Sequence, residues 1–316
     1  MTSHSDKKDN TMKDSAADRM PRFLMSTGFA LLVGVGLGVL LQSTLGIGKN
    51  AMLFSRSSNA EDPDSLPATI PEQLQGKLEL YVLIGQSNMV GTADIPADIG
   101  TSANIYTFGN DYRWQIATAP VDDATNQVDT VSIDEEAKFG PALPFAQTLI
   151  AQDNNQIIGL IPCARSGSSI SDWQKNLSDQ TLYGSCLKRV RAASTVGTVS
   201  GILFFQGETD AVDPEQFPNL NPDPSAWAEK FATFAYNFRA DIGNSNLPLI
   251  YAQLGQPSDL EELPYWEAVQ QQQASLQIPN TVVIATADLP MEGVHFTAES
   301  YQKIGERFAI AISSLP

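Results

Sequence analysis

From residue 77 onward, short apolar runs alternate with longer amphipathic stretches, and this alternation constrains the fold more than any other feature. Continuous apolar runs are typical of parallel strands buried on both faces. Right-handed crossovers through the intervening helices then produce a three-layer αβα sandwich in the α/β class. The predicted strands cover residues 78–85, 104–109, 156–162, 199–207, 247–254 and 281–288, and the clearest helical stretches cover residues 141–153, 182–194, 226–243 and 300–314.

Polar segments with groups capable of chemistry follow several of these strands. The carboxyl ends of parallel strands share one edge of the sheet, and open α/β sheets bind their ligands there. A functional site is therefore expected where four segments meet. They are "GQSNM" (85–89), "CARSGSSISDW" (163–173), "QGETDA" (206–211) and "DLPMEGVHF" (288–296).

The chain contains two histidines, and the positions of both are informative. His4 lies in a polar amino-terminal segment, whereas His295 lies between the last predicted strand and the last helix. A serine needs a neighbouring base before it can act as a nucleophile, and neutral imidazole suits that task near neutral pH. Ser87, directly after the first strand, is the candidate nucleophile. The ordinary alternatives are a plain turn at "GQSNM" and a surface or core histidine without a catalytic role.

A carboxylate should fix the tautomer of the imidazole ring and stabilise the imidazolium. Two candidates remain open. Glu292 lies three residues before His295, so that a short turn could bring it against the ring, and Asp288 ends the last predicted strand.

Acyl transfer also requires hydrogen-bond donors for the developing oxyanion. The Ser87 backbone N–H, the amide of Gly167 and the side-chain amide of Gln206 all fall at the same predicted edge. Taken singly, Gly167 could equally be a turn residue and Gln206 a strand cap.

Several other function classes are disfavoured. One usable histidine and no cysteine pair at ligand spacing make a metal site unlikely, and no phosphate-binding or dinucleotide-binding glycine motif follows a strand. A net charge of −17, from 36 acidic and 19 basic residues, would repel a nucleic acid backbone. The two cysteines, Cys163 and Cys186, could form a disulfide in an oxidising compartment or remain buried thiols.

The amino-terminal part divides into three segments. A polar tail covers residues 1–22, an uncharged apolar run covers residues 23–42, and a Ser-, Pro- and Asn-rich linker covers residues 43–76. Because the run is long enough to span a bilayer and no good cleavage site follows it directly, we expect a transmembrane signal anchor. Basic residues in front of the run place the domain at residues 77–316 outside the cytoplasm. The alternative is secretion after cleavage of a signal peptide.

The blocks "GQSNM", "GLIPCARSGSSISDW", "FFQGETD" and "EGVHFTAESY" resemble, in order and spacing, those of the SGNH (GDSL-like) hydrolases. More narrowly, they are similar to the sialate O-acetylesterase and acetylxylan esterase branch. The resemblance runs from about residue 78 to residue 312. It implies a flavodoxin-like αβα sandwich, a serine esterase that acts on acetylated carbohydrate, and no cofactor.

The resemblance also implies residue roles. Ser87 would be the nucleophile, His295 the base, and Gly167 and Gln206 would complete the oxyanion hole. Further residues would order the loops, namely Gln86, Asn88, Glu208 and Asp210. The chain departs from the family's usual pattern by carrying Glu292 in place of aspartate and Ser166-Gly167 in place of paired glycines, and Gln206 stands where the wider superfamily commonly has asparagine.

We therefore expect a membrane-tethered carbohydrate O-acetylesterase. Two alternatives are a lipid or aryl esterase of the same superfamily and a tethered glycan-binding domain that has lost catalysis. Trp173 and Trp227 could be platforms for stacking sugars, although aromatic residues of this kind more often pack in the core.

Overall fold

The computed structural model describes residues 70–315, in which a seven-stranded sheet is covered by helices on both faces. The strands are β1 (Leu78–Gly85), β2 (Ile105–Phe108), β3 (Trp114–Ile116), β4 (Ile158–Pro162), β5 (Gly197–Phe205), β6 (Leu249–Ala252) and β7 (Thr281–Ile284). Their order is β3-β2-β4-β1-β5-β6-β7, and every pair is parallel except the edge pair β2 and β3. The predicted α/β sandwich is confirmed.

The helices are α1 (Ser87–Val90), α2 (Ala142–Gln152), α3 (Leu182–Ala193), α4 (Trp227–Ile242), α5 (Trp266–Ser275) and α6 (Ala298–Ser313). A two-stranded ribbon, β8 (Met291–Glu292) and β9 (His295–Phe296), precedes α6.

The central strand β1 explains why both faces of the sheet are covered. Its residues alternate between two cores, with Leu80, Val82 and Ile84 in the core beneath α3, α4 and α5. Tyr81 and Leu83 lie in the opposite core, beneath α2 and α6. A strand that is apolar on both sides is stable only between two helical layers.

Three predictions about the elements were incomplete. The apolar and amphipathic patterns of the sequence did not reveal the edge strand β3 or the helix α5. The prediction also extended the last strand to Asp288, whereas β7 ends at Ile284 and Asp288 lies in a turn beyond it.

The predicted anchor at residues 23–42 and the linker up to residue 69 lie outside the described residues. Among residues 70–315, no helix combines the length and the apolar composition that a membrane crossing requires.

Candidate active site

The turn after β1 presents Ser87 at the carboxyl edge of the sheet. Gly85 has φ +145°, and a Cβ there would lie 2.0 Å from the carbonyl oxygen of Phe205 on the neighbouring strand. Only glycine permits this close approach. The chain then turns immediately into α1, so that Ser87 is its first residue.

Ser87 and His295 are in direct contact. The Oγ of Ser87 lies 2.9 Å from Nε2 of His295, a hydrogen-bonding distance across the sheet edge. Ser87 is 7 % exposed. Burial lowers the pKa of His295 below its usual value, and the nearby Asp134 carboxylate opposes this shift. The ring is therefore neutral near pH 7, which is the form that can accept the serine proton.

The ribbon β8–β9 positions His295. Its turn contains Gly293 at φ +62°, a left-handed conformation that favours glycine, and it places Glu292 opposite His295 in the antiparallel register. Within residues 70–315, however, Nδ1 of His295 has no hydrogen-bond partner, and the Glu292 side chain is exposed. The structure thus pairs the predicted acid with His295 in the ribbon, without a hydrogen bond between their side chains.

Asp288 is engaged elsewhere. Both of its carboxylate oxygens accept hydrogen bonds from the Arg307 guanidinium on α6, at 2.7 and 2.6 Å. This pairing lowers the pKa of Asp288 to about 2. The alternative that placed Asp288 rigidly at a strand end next to His295 rested on an overextended strand, and the observed contact is with Arg307.

Two of the predicted oxyanion donors, both backbone N–H groups, have no acceptors within residues 70–315. In the described part of the chain, neither the Ser87 N–H nor the Gly167 N–H makes a hydrogen bond. Gly167 has φ +73°, and a Cβ there would meet nothing within 4 Å, so its backbone conformation rather than crowding favours glycine. Both N–H groups are therefore free to bind an acceptor other than the protein.

Gln206, the third predicted oxyanion donor, is fully buried. Its Nε2 lies 2.6 Å from Asp210 Oδ2, 3.1 Å from the Ser168 carbonyl and 3.2 Å from Gln86 Oε1. Its Oε1 accepts from Trp227 Nε1 at 2.9 Å. The Gln206 amide is therefore occupied by protein partners, with Gln86 Oε1 as the most distant acceptor.

Asn88 links the serine turn to the histidine ribbon. Its Nδ2 donates to the Val294 carbonyl at 2.9 Å and to Glu208 Oε1, and its Oδ1 accepts from the Tyr301 hydroxyl at 2.6 Å. Burial, opposed by the hydrogen bond from Asn88, raises the pKa of Glu208 to about 7. Because Val294 directly precedes His295, Asn88 helps to set the distance between the serine and the imidazole.

Gln86 and Asp210 hold the remaining loops together. Gln86 Oε1 accepts from the backbone N–H groups of Gly207 and Thr209, both at 3.3 Å. Asp210 Oδ2 accepts from the Ile170 N–H at 2.8 Å, and burial raises the pKa of Asp210 to about 6. These contacts connect three of the four segments that the sequence analysis singled out.

Asp134 is a residue that sequence reasoning missed. It is 6 % exposed, its Oδ2 accepts from the Ser166 N–H at 3.0 Å, and it lies 3.8 Å from the Arg165 guanidinium. It belongs to the acidic segment "SIDEEAK" between β3 and α2, and such segments are usually solvated. Its burial, its contact with the Ser166 N–H and its effect on the His295 pKa distinguish this carboxylate from the exposed Glu135 and Glu136.

The structure also bears on the two cysteines and on the two tryptophans considered for sugar stacking. Cys163, after β4, and Cys186, on α3, form a disulfide with a Cα–Cα distance of 5.4 Å. Trp173 and Trp227 are fully buried in the core, so neither is a sugar-stacking platform. In residues 70–315, no cluster of metal-ligating side chains occurs.

A family model and a curated relative both match this chain, and both are described as carbohydrate esterases. The family model for carbohydrate esterases described as sialic acid-specific acetylesterase matches residues 77–314. A probable carbohydrate esterase of Arabidopsis thaliana is 25% identical over 276 residues, covering 80% of this chain and 95% of that protein.

Solved structures share the fold. An X-ray structure of an Arabidopsis thaliana protein has a TM-score of 0.64 at 23% identity, covering 76% of this chain and all of the other. A carbohydrate acetylesterase from Xanthomonas citri has a TM-score of 0.56 at 21% identity over 75% of this chain and 56% of its own. NanS has a TM-score of 0.56 at 15% identity over 76% of this chain and 97% of its own.

The family match spans every loop of the site, from the serine turn after β1 to the histidine ribbon before α6. The chain therefore belongs to this carbohydrate esterase family and is a carboxylic ester hydrolase.

Proposed function

We propose that the protein removes O-acetyl groups from carbohydrates through an acetyl-enzyme formed on Ser87. The observation that carries the proposal is the 2.9 Å contact between Ser87 Oγ and His295 Nε2. Burial keeps the pKa of His295 below its usual value, so the base is available in its neutral form. The membership of a carbohydrate esterase family supports an acetylated sugar as the substrate.

In the first half of the reaction, Ser87 Oγ attacks the acetyl carbonyl carbon while His295 Nε2 accepts the serine proton. The carbonyl oxygen becomes an oxyanion. When this intermediate collapses, the bond to the sugar oxygen breaks and His295 returns the proton to that oxygen. The sugar hydroxyl leaves, and the acetyl group remains on Ser87.

The N–H groups of Ser87 and Gly167 stabilise the oxyanion in this proposal, which is supported by the absence of acceptors for both groups among the described residues. Gln206 contributes as a third donor when the oxyanion replaces Gln86 Oε1, its most distant acceptor at 3.2 Å. In the second half, His295 takes a proton from a water molecule as the water oxygen attacks the acetyl carbon. When this intermediate collapses, the bond to Ser87 Oγ breaks, His295 returns the proton to Oγ, and acetate leaves.

Glu292 is the proposed third member of the triad. It lies opposite His295 in the ribbon, and Nδ1 of the ring has no other partner among the described residues. A rotation of the exposed Glu292 side chain toward Nδ1 would fix the tautomer and stabilise the imidazolium. Gln86, Asn88, Glu208 and Asp210 hold the loops in register around these groups.

The proposal is tested by measuring acetate release by the purified full-length protein from acetylated xylan, O-acetylated sialic acid and 4-nitrophenyl acetate, with Ser87→Ala as control. Carbohydrate acetates should be hydrolysed, and the variant should be inactive. Hydrolysis restricted to long-chain lipid esters or aryl esters would favour the lipid or aryl esterase. Sugar binding without hydrolysis would identify a glycan-binding domain.

We further propose that residues 77–316 form an extracytoplasmic domain held by a retained anchor at residues 23–42 through the linker at residues 43–76. The support is the uncharged run itself and the basic residues before it. Full-length protein should stay in membranes through a carbonate wash. A soluble mature chain that begins near residue 61 would instead indicate signal-peptide cleavage.

A further inference from the structure

Helix α3 holds the carboxyl end of β4 at two consecutive residues, and the mechanism above uses neither contact. Cys186 on α3 forms the disulfide with Cys163, which directly follows β4. Three residues further along the helix, the Arg189 guanidinium donates from Nη1 to the carbonyl of Pro162, the last residue of β4. Residues three apart share one face of a helix, so a single face of α3 holds this end of the strand.

The disulfide enters the chain four residues before Gly167, one of the proposed oxyanion donors. On its other side, the same stretch is tied to β1. The Cys163 N–H donates to the Leu83 carbonyl at 2.9 Å. The Arg165 N–H donates to the Gly85 carbonyl at 3.0 Å, and Gly85 belongs to the turn that presents the nucleophile. The chain leading to Gly167 is therefore fixed between the serine turn on one side and α3 on the other.

Arg189 provides a second connection from α3 to this loop. The guanidinium is 1 % exposed, and its Nη2 donates to Asp129 Oδ2 and, at 3.5 Å, to Ser132 Oγ. Both residues lie in the segment between β3 and α2, which also contains Asp134. Asp134 in turn accepts from the Ser166 N–H at 3.0 Å. The helix thus reaches the loop directly through the disulfide and indirectly through this acidic segment.

The disulfide and the guanidinium constrain the end of β4 to different degrees. The disulfide fixes Cys163 covalently, with the two Cα atoms 5.4 Å apart, and both cysteines are buried, at 2 % and 3 % exposure. The guanidinium instead divides its hydrogen bonds among three residues, namely Asn110, Asp129 and Pro162. A hydrogen bond tolerates changes in length and angle that a covalent bond does not. Because a displacement of about 1 Å at a reacting group costs about 10²-fold in rate, the covalent contact has the larger consequence for catalysis.

We propose that the Cys163–Cys186 disulfide is a positioning element for catalysis, which holds the loop around Gly167 where its N–H serves the oxyanion formed at Ser87. This inference rests on the proposed function, because it takes the Gly167 N–H as an oxyanion donor. It assigns the disulfide a role in the rate of the reaction as well as in stability. Full activity then requires that the two thiols have been oxidised.

The first test combines Cys163→Ala with Cys186→Ala in the full-length protein. On 4-nitrophenyl acetate, kcat should fall by about 10- to 100-fold with KM nearly unchanged, because the loop around Gly167 is no longer held in place. Kinetics are measured well below the unfolding midpoint, which should itself fall by about 5 to 15 °C. Val190→Ala, a buried position on the same helix, is the matched control: it should lower the midpoint and leave kcat within about twofold. An unchanged kcat in the folded double variant overturns the proposal.

Oxidation of reduced wild-type protein provides the rescue. The chain contains only these two cysteines, so mass spectrometry reports their state without ambiguity. Protein purified with both thiols free should have the kcat of the double variant and should gain activity when oxidised glutathione is added. The two thiols give up two electrons and two protons as the S–S bond forms, and oxidised glutathione becomes two glutathione thiols. The double variant should gain nothing. Folded, reduced protein that is as active as oxidised protein contradicts the proposal.

Hydrogen exchange separates this inference from the proposed function. The backbone N–H groups of residues 163–169 should exchange about tenfold faster in the double variant, whereas those of β1 should keep their wild-type rates. Equal exchange at residues 163–169 in the two proteins would overturn the positioning role even if the esterase is active. A wild-type protein that hydrolyses no ester would refute the proposed function, and faster exchange in the double variant would still support a disulfide that holds this loop.

Discussion

The serine turn and the histidine ribbon meet at 2.9 Å, yet they are built very differently. The serine turn is enclosed: Gln86, Ser87 and Asn88 are all buried, and the two amide side chains bind backbone and side-chain groups of neighbouring loops. On the ribbon, Glu292 is exposed, and Nδ1 of His295 has no partner among residues 70–315. Ser87 is therefore positioned by the folded core, whereas Glu292, the proposed orienting acid, is a surface side chain.

This contrast locates the part of the site that is easiest to break. Substituting Glu292, the proposed acid, should impair chemistry without disturbing the fold, because its side chain is exposed. Substituting residues around Ser87 affects both chemistry and packing.

Outside the Ser87–His295 pair itself, the largest effect is expected for Glu292, the proposed acid. Glu292→Gln should lower kcat by about 10²- to 10⁴-fold, because the imidazolium loses its stabilising carboxylate. Glu292→Asp, which restores the family's usual residue, should retain activity. Asp288→Asn is the matched control and should stay close to wild type, since Asp288 pairs with Arg307. Steady-state kinetics on an acetylated sugar provide the measurement, and a crippled Asp288→Asn with a mild Glu292→Gln would reverse the assignment.

A smaller effect is expected for Asn88, which joins the two regions. Asn88→Ala removes the hydrogen bond to the Val294 carbonyl and should lower kcat by about 10- to 100-fold, with KM nearly unchanged. Asn155→Ala, an exposed asparagine, serves as control. Kinetics and thermal unfolding should be compared on the same samples. A loss of stability with kcat intact would show that Asn88 only supports the fold.

The smallest effect is expected for Asp134. Its carboxylate opposes the lowering of the His295 pKa, so Asp134→Asn should lower that pKa further. The neutral base then persists to lower pH, and the acidic limb of the kcat/KM profile should move to lower pH, by less than about one unit. Asparagine can still accept from the Ser166 N–H, which keeps the loop around Gly167 in place. A shift of the limb to higher pH, or none, would contradict this electrostatic role.

The contrast between the two regions also explains what the sequence could predict. Gly85, Ser87 and His295 were identifiable because a glycine-led turn after a buried strand and a lone histidine at the same sheet edge are local signals. The main strands and four helices were likewise recognisable from their apolar runs. These features depend on residues close together in the chain.

The features that were missed depend on distant contacts or weak patterns. Helix α5 has the glutamine-rich sequence "WEAVQQQQAS", with few apolar residues to mark a stripe. Strand β3 has three residues and lies at the sheet edge. Asp288 was misplaced because its partner Arg307 lies on the following helix, and Asp134 was overlooked because only tertiary packing buries it.

The central claim is that Ser87 and His295 act as one catalytic unit, and a double-mutant cycle tests it most directly. Residues that share one chemical step are strongly non-additive. We expect Ser87→Ala and His295→Ala each to lower kcat by about 10³-fold or more, and the double variant to be little worse than either single variant. Losses that add in free energy, or a His295→Ala protein that still releases acetate at the wild-type rate, would contradict the account.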